Sequence, residues 1–227
     1  MAKMRPSGGY RDSCSFQTAT LIYDATVWFC ERFLDPRSRT AEQMVQAARA
    51  GRQNIAEGSR AAATSSQTEL RLVNVARTSL EELLLDCEDY LRHRRLEQWD
   101  PDGSEALAVR RVPRKINDDR SDSSDRSDRS HLTDLTDRER WALYAPWLEH
   151  ADPAVRVNAL ICLIHQANYL LDQQIEALEK RFVEDGGYSE QLAAARLTER
   201  QRRKERSGSA QESRSPDRSD PSDSPDR

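Results

Sequence analysis

Residues 43–63, QMVQAARAGRQNIAEGSRAAA, and residues 66–96, SQTELRLVNVARTSLEELLLDCEDYLRHRRL, decide the fold. In the first run Met44, Ala47, Ala48, Gly51, Ile55 and Gly58 recur in steps of three and four, the period of an amphipathic helix. In the second, Val73, Ala76, Leu80, Leu83, Leu84, Cys87 and Leu91 form one stripe, widened by Leu72 and Leu85. So broad a stripe needs more than one neighbour to bury it. Glu81, Glu82, Asp86, Glu88 and Asp89 fill the opposite face, and Arg92, Arg94 and Arg95 close the end where the helix dipole favours cations. A glycine inside a helix costs about 1 kcal/mol relative to alanine. The compensating gain expected here is close approach of another backbone at Ala47, Gly51 and Gly58. The alternative is a kink or an early helix end at Gly58.

Working outward, Phe16, Thr20, Tyr23, Val27, Cys30 and Leu34 predict an earlier helix seam that stops at Asp35-Pro36, where proline cannot continue the hydrogen-bond ladder. Thr40, with Gln43 three residues on, has the spacing of a capping box for the second helix. Downstream, TDRERWALYAPWLEH predicts a short helix from near Thr136 that packs through Trp141, Leu143, Tyr144 and Trp147. A long helix follows from Pro153 to Gly186-Gly187, with Val157, Leu160, Ile161, Ile164, Asn168, Leu171, Ile175, Leu178 and Phe182 as its stripe. The three-four rhythm predicts an all-α, antiparallel up-and-down four-helix bundle. A low-complexity insertion precedes its fourth long helix, and a disordered tail follows.

The organisation expected is a flexible N-terminus at 1–14, three bundle helices at 15–99, and a disordered Ser/Asp/Arg-rich insertion at 100–132. Residues 133–186 hold the short helix and the fourth long one. A peripheral helix at 187–206, held by Tyr188, Leu192, Ala195 and Leu197, leads to a disordered tail at 207–227. The stretch DDRSDSSDRSDRS of the insertion has no apolar side chain to offset ordering entropy, and the tail returns to the same Ser/Asp/Arg composition.

Of 227 residues, 35 are Lys or Arg and 39 are Asp or Glu, a net charge of -4, which excludes a generic polycation. No apolar run approaches the roughly 18 residues of a membrane span, and the first residues lack the apolar region of a secretory signal. A cytoplasmic protein without membrane contact is expected. Cys14, Cys30, Cys87 and Cys162 are widely spaced, so a disulfide framework is not expected.

Catalysis finds no foothold. A di-iron bundle needs inward Glu-x-x-His motifs, but His93, His131, His150 and His165 follow Tyr90, Asp128, Trp147 and Cys162 at that spacing. Cys162 and His165 share one helix with Asn168 and Asp172, and their parallel vectors do not converge on a substrate. There is no glycine-rich phosphate loop and no GxSxG. No enzyme, no metal and no cofactor is expected.

The second helix carries a more suggestive surface. Arg49, Arg52 and Arg60 share one face with Gln53 and Gln46, away from the small-residue stripe. Guanidinium forks suit phosphates or acidic side chains, so RNA, DNA or a protein partner are the candidates. The plain alternative is a solvated face paired with acids of the third helix or of a neighbouring subunit.

QMVQAARAGRQNIAEGSRAA followed by TELRLVNVARTSLEELLLDCEDYL resembles the signature of the bacterial four-helix bundle proteins first noticed as products of intervening sequences inside 23S rRNA genes. The preceding IYDATVWFCERF is similar to that family's first helix, so the likeness covers about residues 16–99. The later half, RWALYAPWLEH through ALICLIHQANYLLDQQIEALEKRF and GGYSEQLAAARL, resembles the longer four helix bundle suffix variant. The resemblance implies a bundle that assembles as a ring-like homopentamer. A related group, the accessory variability determinants of diversity-generating retroelements, binds nucleic acid and a reverse transcriptase through a basic pentamer. It thus implies a non-enzymatic adaptor that contacts nucleic acid or a nucleic-acid enzyme. A structural scaffold that binds only protein is the rival.

Overall fold

A computed structural model describes residues 9–121, 135–185, 193–194 and 196–203. Every regular element among them is helical: a 3-10 turn at Gly9–Asp12, then α1 (Cys14–Phe33), α2 (Arg39–Ala61), α3 (Ser66–His93), α4 (Ser104–Ser121), α5 (Asp137–Leu148) and α6 (Pro153–Asp185). None of these helices is long and apolar enough to cross a membrane.

Local chemistry sets the ends. Ser13 caps α1, its hydroxyl accepting from the Phe16 N–H at 3.3 Å. Asp35-Pro36 follows the last turn of α1, as the proline rule requires. Instead of starting at a Thr40 cap, α2 begins at Arg39 behind Ser38, which makes no side-chain cap bond. The Asp35–Ser38 turn moves the start back, with Asp35 accepting from the N–H groups of Arg37 and Ser38 at 2.8 Å each. Ser65 caps α3 by accepting from Thr68 N–H at 3.1 Å. Beyond α3, Arg95 takes a left-handed φ of 56°, which lets Leu96 N–H reach the Leu91 carbonyl at 2.9 Å. Thr136 and Glu139 complete a reciprocal capping box at the start of α5.

Four long helices touch in a closed circuit: α1 lies against α2 and α6, and α3 lies against the same two. The α2–α3 contact is the most extensive. Across it Gly51 faces Leu80 and Ala76, and Gly58 faces Glu69, Leu72 and Val73; Met44, Ala47, Ala48 and Ile55 of α2 and Val73, Ala76, Leu80 and Leu83 of α3 are all buried. Gly58 lies within α2, which continues unbroken to Ala61. Between α3 and α6 the contact also carries polar steps, Arg77 to Asp172 at 3.1 Å and Asn168 to Glu81 at 2.9 Å.

Besides the start of α2, four expectations need correction. The seam of α1 is rotated: Ala19, Ile22, Thr26 and Phe29 are the buried line, while Phe16, Thr20, Tyr23 and Val27 lie half-buried on its flank. Because α2 and α6 cover α1 from different sides, its small and branched residues fill the centre. The Thr26 hydroxyl is satisfied there by the Ile22 carbonyl at 2.7 Å. On α3, Leu85 does not widen the stripe but is 61% exposed. Residues 1–14 are not wholly a loose arm, because the turn at Gly9–Asp12 buries Tyr10.

Finally, residues 100–132 are not wholly a disordered insertion, because 104–121 form α4. Ala106, Val109 and Val112 recur at intervals of three and are buried, with α4 lying against α6 and α5. Asn158 of α6 anchors the approach to α4 by donating to Glu97 O at 2.9 Å and accepting from Trp99 N–H at 2.8 Å. Residues 122–134, the Gly186-Gly187 stop, Tyr188, Leu192, Ala195 and the tail at 207–227 lie outside the described residues. Residues 196–203 are helical and exposed.

Candidate anion-binding site

The cysteine-histidine constellation comes apart. Cys162 is buried and His165 exposed, so neighbours on one helix point to different surroundings. Burial pushes the Cys162 thiol up to about 11, against the pull of Arg110. Asp172 is occupied by Arg77, and Asn168 by Glu81. Burial likewise raises the Cys30 thiol to about 12, with Asp86 and Glu31 adding to the effect, and raises that of Cys87. Such thiols hold little thiolate at neutral pH, and the thiolate is the reactive form. Among the described residues, no group of three or more His, Cys, Asp or Glu side chains is placed to hold a metal.

The arginine face of α2 divides into two. Arg49 stands exposed on its own. Arg52, Gln53 and Arg60 line a cleft of about 360 Å3 between α1, α2, the 3-10 turn and the start of α5. Tyr10 and Arg11 of the turn, Phe16 and Thr20 of α1, Ala56 and Glu57 of α2, and Asp137 of α5 complete its wall.

The 3-10 turn is held against α1 by local bonds. Ser13 Oγ donates to Tyr10 O at 2.8 Å, and Gln17 Nε2 donates to Arg11 O at 2.8 Å. Tyr10 then packs edge-on against Phe16, with ring centroids 4.7 Å apart. Arg60 Nη2 donates to Tyr10 Oη at 3.2 Å, and its guanidinium carbon lies 5.4 Å from the ring centroid. Arg11 approaches the same ring at 5.5 Å. Farther along α2, Arg52 lies over the Tyr23 ring at 4.1 Å. Guanidinium over an aromatic face keeps its charge while losing conformational freedom, and its edge N–H groups stay available.

Among the described residues Arg11, Arg49, Arg52 and Arg60 make no ion pair within 4 Å. The acids of α3 therefore do not neutralise the α2 face within one chain. Of the two carboxylates in the cleft wall, Asp137 is bonded to the buried Arg140 at 2.7 Å, and Glu57 is exposed. Asp24 nearby has its carboxyl raised by burial, opposed by the charge of Arg52 and reinforced by that of Asp137.

Sequence reading found Arg52, Arg60 and Gln53 from helical periodicity, and it placed Arg49 with them. It missed Tyr10, Arg11 and Asp137, which reach the cleft from other segments, and the signal it passed over was the Tyr10-Arg11 pair. The close-packing residues lie on the other side of α2. A Cβ added at Gly51 would come within 2.7 Å of Leu80 Cδ2, whereas one at Gly58 would meet Glu69 O and Leu72 Cβ at 3.4 Å. Ala47 is buried on the same stripe. No known protein family, curated protein or solved structure matches the chain.

Proposed function

We propose that this chain is a non-enzymatic, homo-oligomeric adaptor of the cytoplasm. Its core is an antiparallel up-and-down four-helix bundle of the 23S rRNA intervening-sequence type, and its α2 face contacts the phosphates of RNA or DNA. Support for the bundle comes from the closed circuit of α1, α2, α3 and α6. The α3–α6 hydrogen bonds also step in opposite directions along the two helices, Arg77 to Asp172 and Glu81 to Asn168. The resemblance of residues 16–99 supplies the expectation of a five-membered ring.

The observation that carries the nucleic-acid contact is the unpaired state of Arg49, Arg52 and Arg60 beside Gln53 among the described residues. Guanidinium groups without an ion pair within 4 Å, two of them resting near tyrosine rings, present forks suited to phosphate oxygens. Binding of this kind releases counterions, so affinity falls linearly on a log-log plot against salt. In titrations of single- and double-stranded probes from about 50 to 200 mM salt, the wild-type protein should bind with a steep negative slope. Replacing Arg49, Arg52 and Arg60 by alanine should flatten that slope by about 0.7 to 0.9 for each phosphate no longer neutralised. An unchanged slope, or no salt-sensitive binding by the wild type, overturns the proposal.

A specific observation also favours the protein-only scaffold. Val75 and Leu85 of α3 and Tyr169 of α6 are 41%, 61% and 64% exposed, large apolar side chains that a protein partner would cover. Native mass spectrometry separates the readings. A protein partner kept at high salt with no nucleic acid favours the scaffold.

A further inference from the structure

We propose that the cleft between the 3-10 turn and α2 seats a phosphomonoester, with Arg11, Arg52 and Arg60 as its cationic contacts. The inference rests on α2 being a phosphate-facing helix, and it goes further in assigning one cleft position to a terminal phosphate. Sequence periodicity alone puts an open arginine stripe along α2. The structure breaks that stripe: Arg49 is outside the cleft, and Arg11 enters it from a different segment.

The anion class follows from shape and donor count. A carboxylate presents two coplanar oxygens, which a single guanidinium fork satisfies. Here three arginines from two separate segments line one concavity together with Gln53. Donors arriving from several directions match the three terminal oxygens of a phosphomonoester, which carries a charge of about -1.5 to -2 at neutral pH. A bridging phosphodiester offers fewer free oxygens and has to leave the site at both ends. The volume of about 360 Å3 exceeds what a bare ion needs and falls within the range of small-ligand pockets. It leaves room for the group the phosphate is attached to, beside the apolar wall of Phe16 and Ala56.

The cleft is also prepared before any ligand arrives. Tyr10 is 9% exposed and held by its own backbone bonds, and it fixes Arg60 through Oη at 3.2 Å. Arg52 is fixed on Tyr23 at 4.1 Å. Ordering these long side chains in advance removes part of the entropy cost of binding. Asp137 does not compete freely for the arginines, because Arg140 holds it at 2.7 Å.

The source of the phosphomonoester is either a free small molecule or the end of a nucleic-acid strand. Calorimetry on the full chain should use inorganic phosphate, adenosine monophosphate, adenosine and succinate as probes. Oligothymidine with and without a 5′-phosphate should be measured in parallel. Phosphate and adenosine monophosphate are expected to bind, and adenosine and succinate are not. Arg11→Gln and Arg60→Gln should each weaken adenosine monophosphate at least about tenfold. Arg71→Gln, exposed on α3 away from the cleft, should leave it unchanged. Far-UV circular dichroism of each variant checks that the helices remain. Tighter binding of the 5′-phosphorylated strand assigns the seat to nucleic-acid ends, and equal binding of the two strands assigns it to free phosphomonoesters.

The proposal is overturned if phosphate and adenosine monophosphate do not bind, if succinate binds as tightly, or if both arginine variants bind like the wild type. Its failure is distinguishable from failure of the strand contact. An empty cleft with salt-sensitive binding of unphosphorylated strands sinks only the phosphate seat. The reverse pattern sinks only the strand contact.

Discussion

On its inward side α2 meets α3 through Gly51 and Gly58, with Leu80 so near Gly51 that a Cβ there would stand 2.7 Å from Cδ2. On its outward side the same helix carries Arg49, Arg52 and Arg60, the last two steadied by Tyr23 and Tyr10 from other segments. The inner face is held by shape and has almost no slack. The outer face carries charges without ion-pair partners within 4 Å among the described residues, two of them in contact with tyrosine rings. On the proposed function, stability and recognition fall on opposite sides of one rod, and substitutions should sort them.

The largest effect belongs to the inner side. Leu80 is fully buried against Gly51, so Leu80→Ala should lower the unfolding free energy by about 2 to 5 kcal/mol in urea melts. A decrease below about 1 kcal/mol would mean that the α2–α3 contact is loose. Next comes Gly51→Ala, where an overpacking cost of about 1 to 3 kcal/mol opposes a helix-propensity gain of about 1 kcal/mol. A net destabilisation of about 1 kcal/mol is expected, and it should shrink when Leu80→Ala is present, because the clashing atoms are gone.

Gly58→Ala should behave in the opposite sense. Its added carbon meets ordinary contacts at 3.4 Å, so the propensity gain should leave stability unchanged or raised by up to about 1 kcal/mol. Opposite signs at two glycines on one stripe would confirm that only Gly51 marks the tight approach.

The smallest effects lie outside. Arg49→Ala should change unfolding by no more than about 0.5 kcal/mol, the usual range for an exposed side chain. Asp24 offers a pH test beside Arg52. Burial raises its carboxyl above the ordinary 3.8, so the folded state holds the proton more tightly than the unfolded one. That advantage is complete below 3.8 and is lost as the pH climbs through the raised value. Asp24→Asn should therefore melt above the wild type at pH 7, and the two melting curves should converge in acid. A lower midpoint for Asp24→Asn at pH 7 would show that attraction to Arg52 outweighs the burial cost.

How much of this was legible beforehand depended on whether the signal was local. The stripes of α2 and α3 were readable because period and burial coincide, with Met44, Ile55, Val73 and Leu80 all in the core. The seam of α1 was misjudged because its large residues, Phe16 and Tyr23, mark a flank, while Ala19, Ile22 and Thr26 fill the centre. Helix α4 was hidden because the polar residues around Ala106, Val109 and Val112 outweighed three well-spaced apolar ones. On the cleft, the arginines of α2 were visible by periodicity. Tyr10 and Arg11 were not, since a four-residue turn has no period to detect and only the folded chain brings it beside Arg60.

Gly51 has one further consequence. A rod pressed so closely on its inner side has little freedom to roll about its long axis, and Arg52, the next residue along, inherits that heading. A bulkier residue at 51 should shift the guanidinium on Tyr23 even though it touches neither, so that aim is lost along with strength.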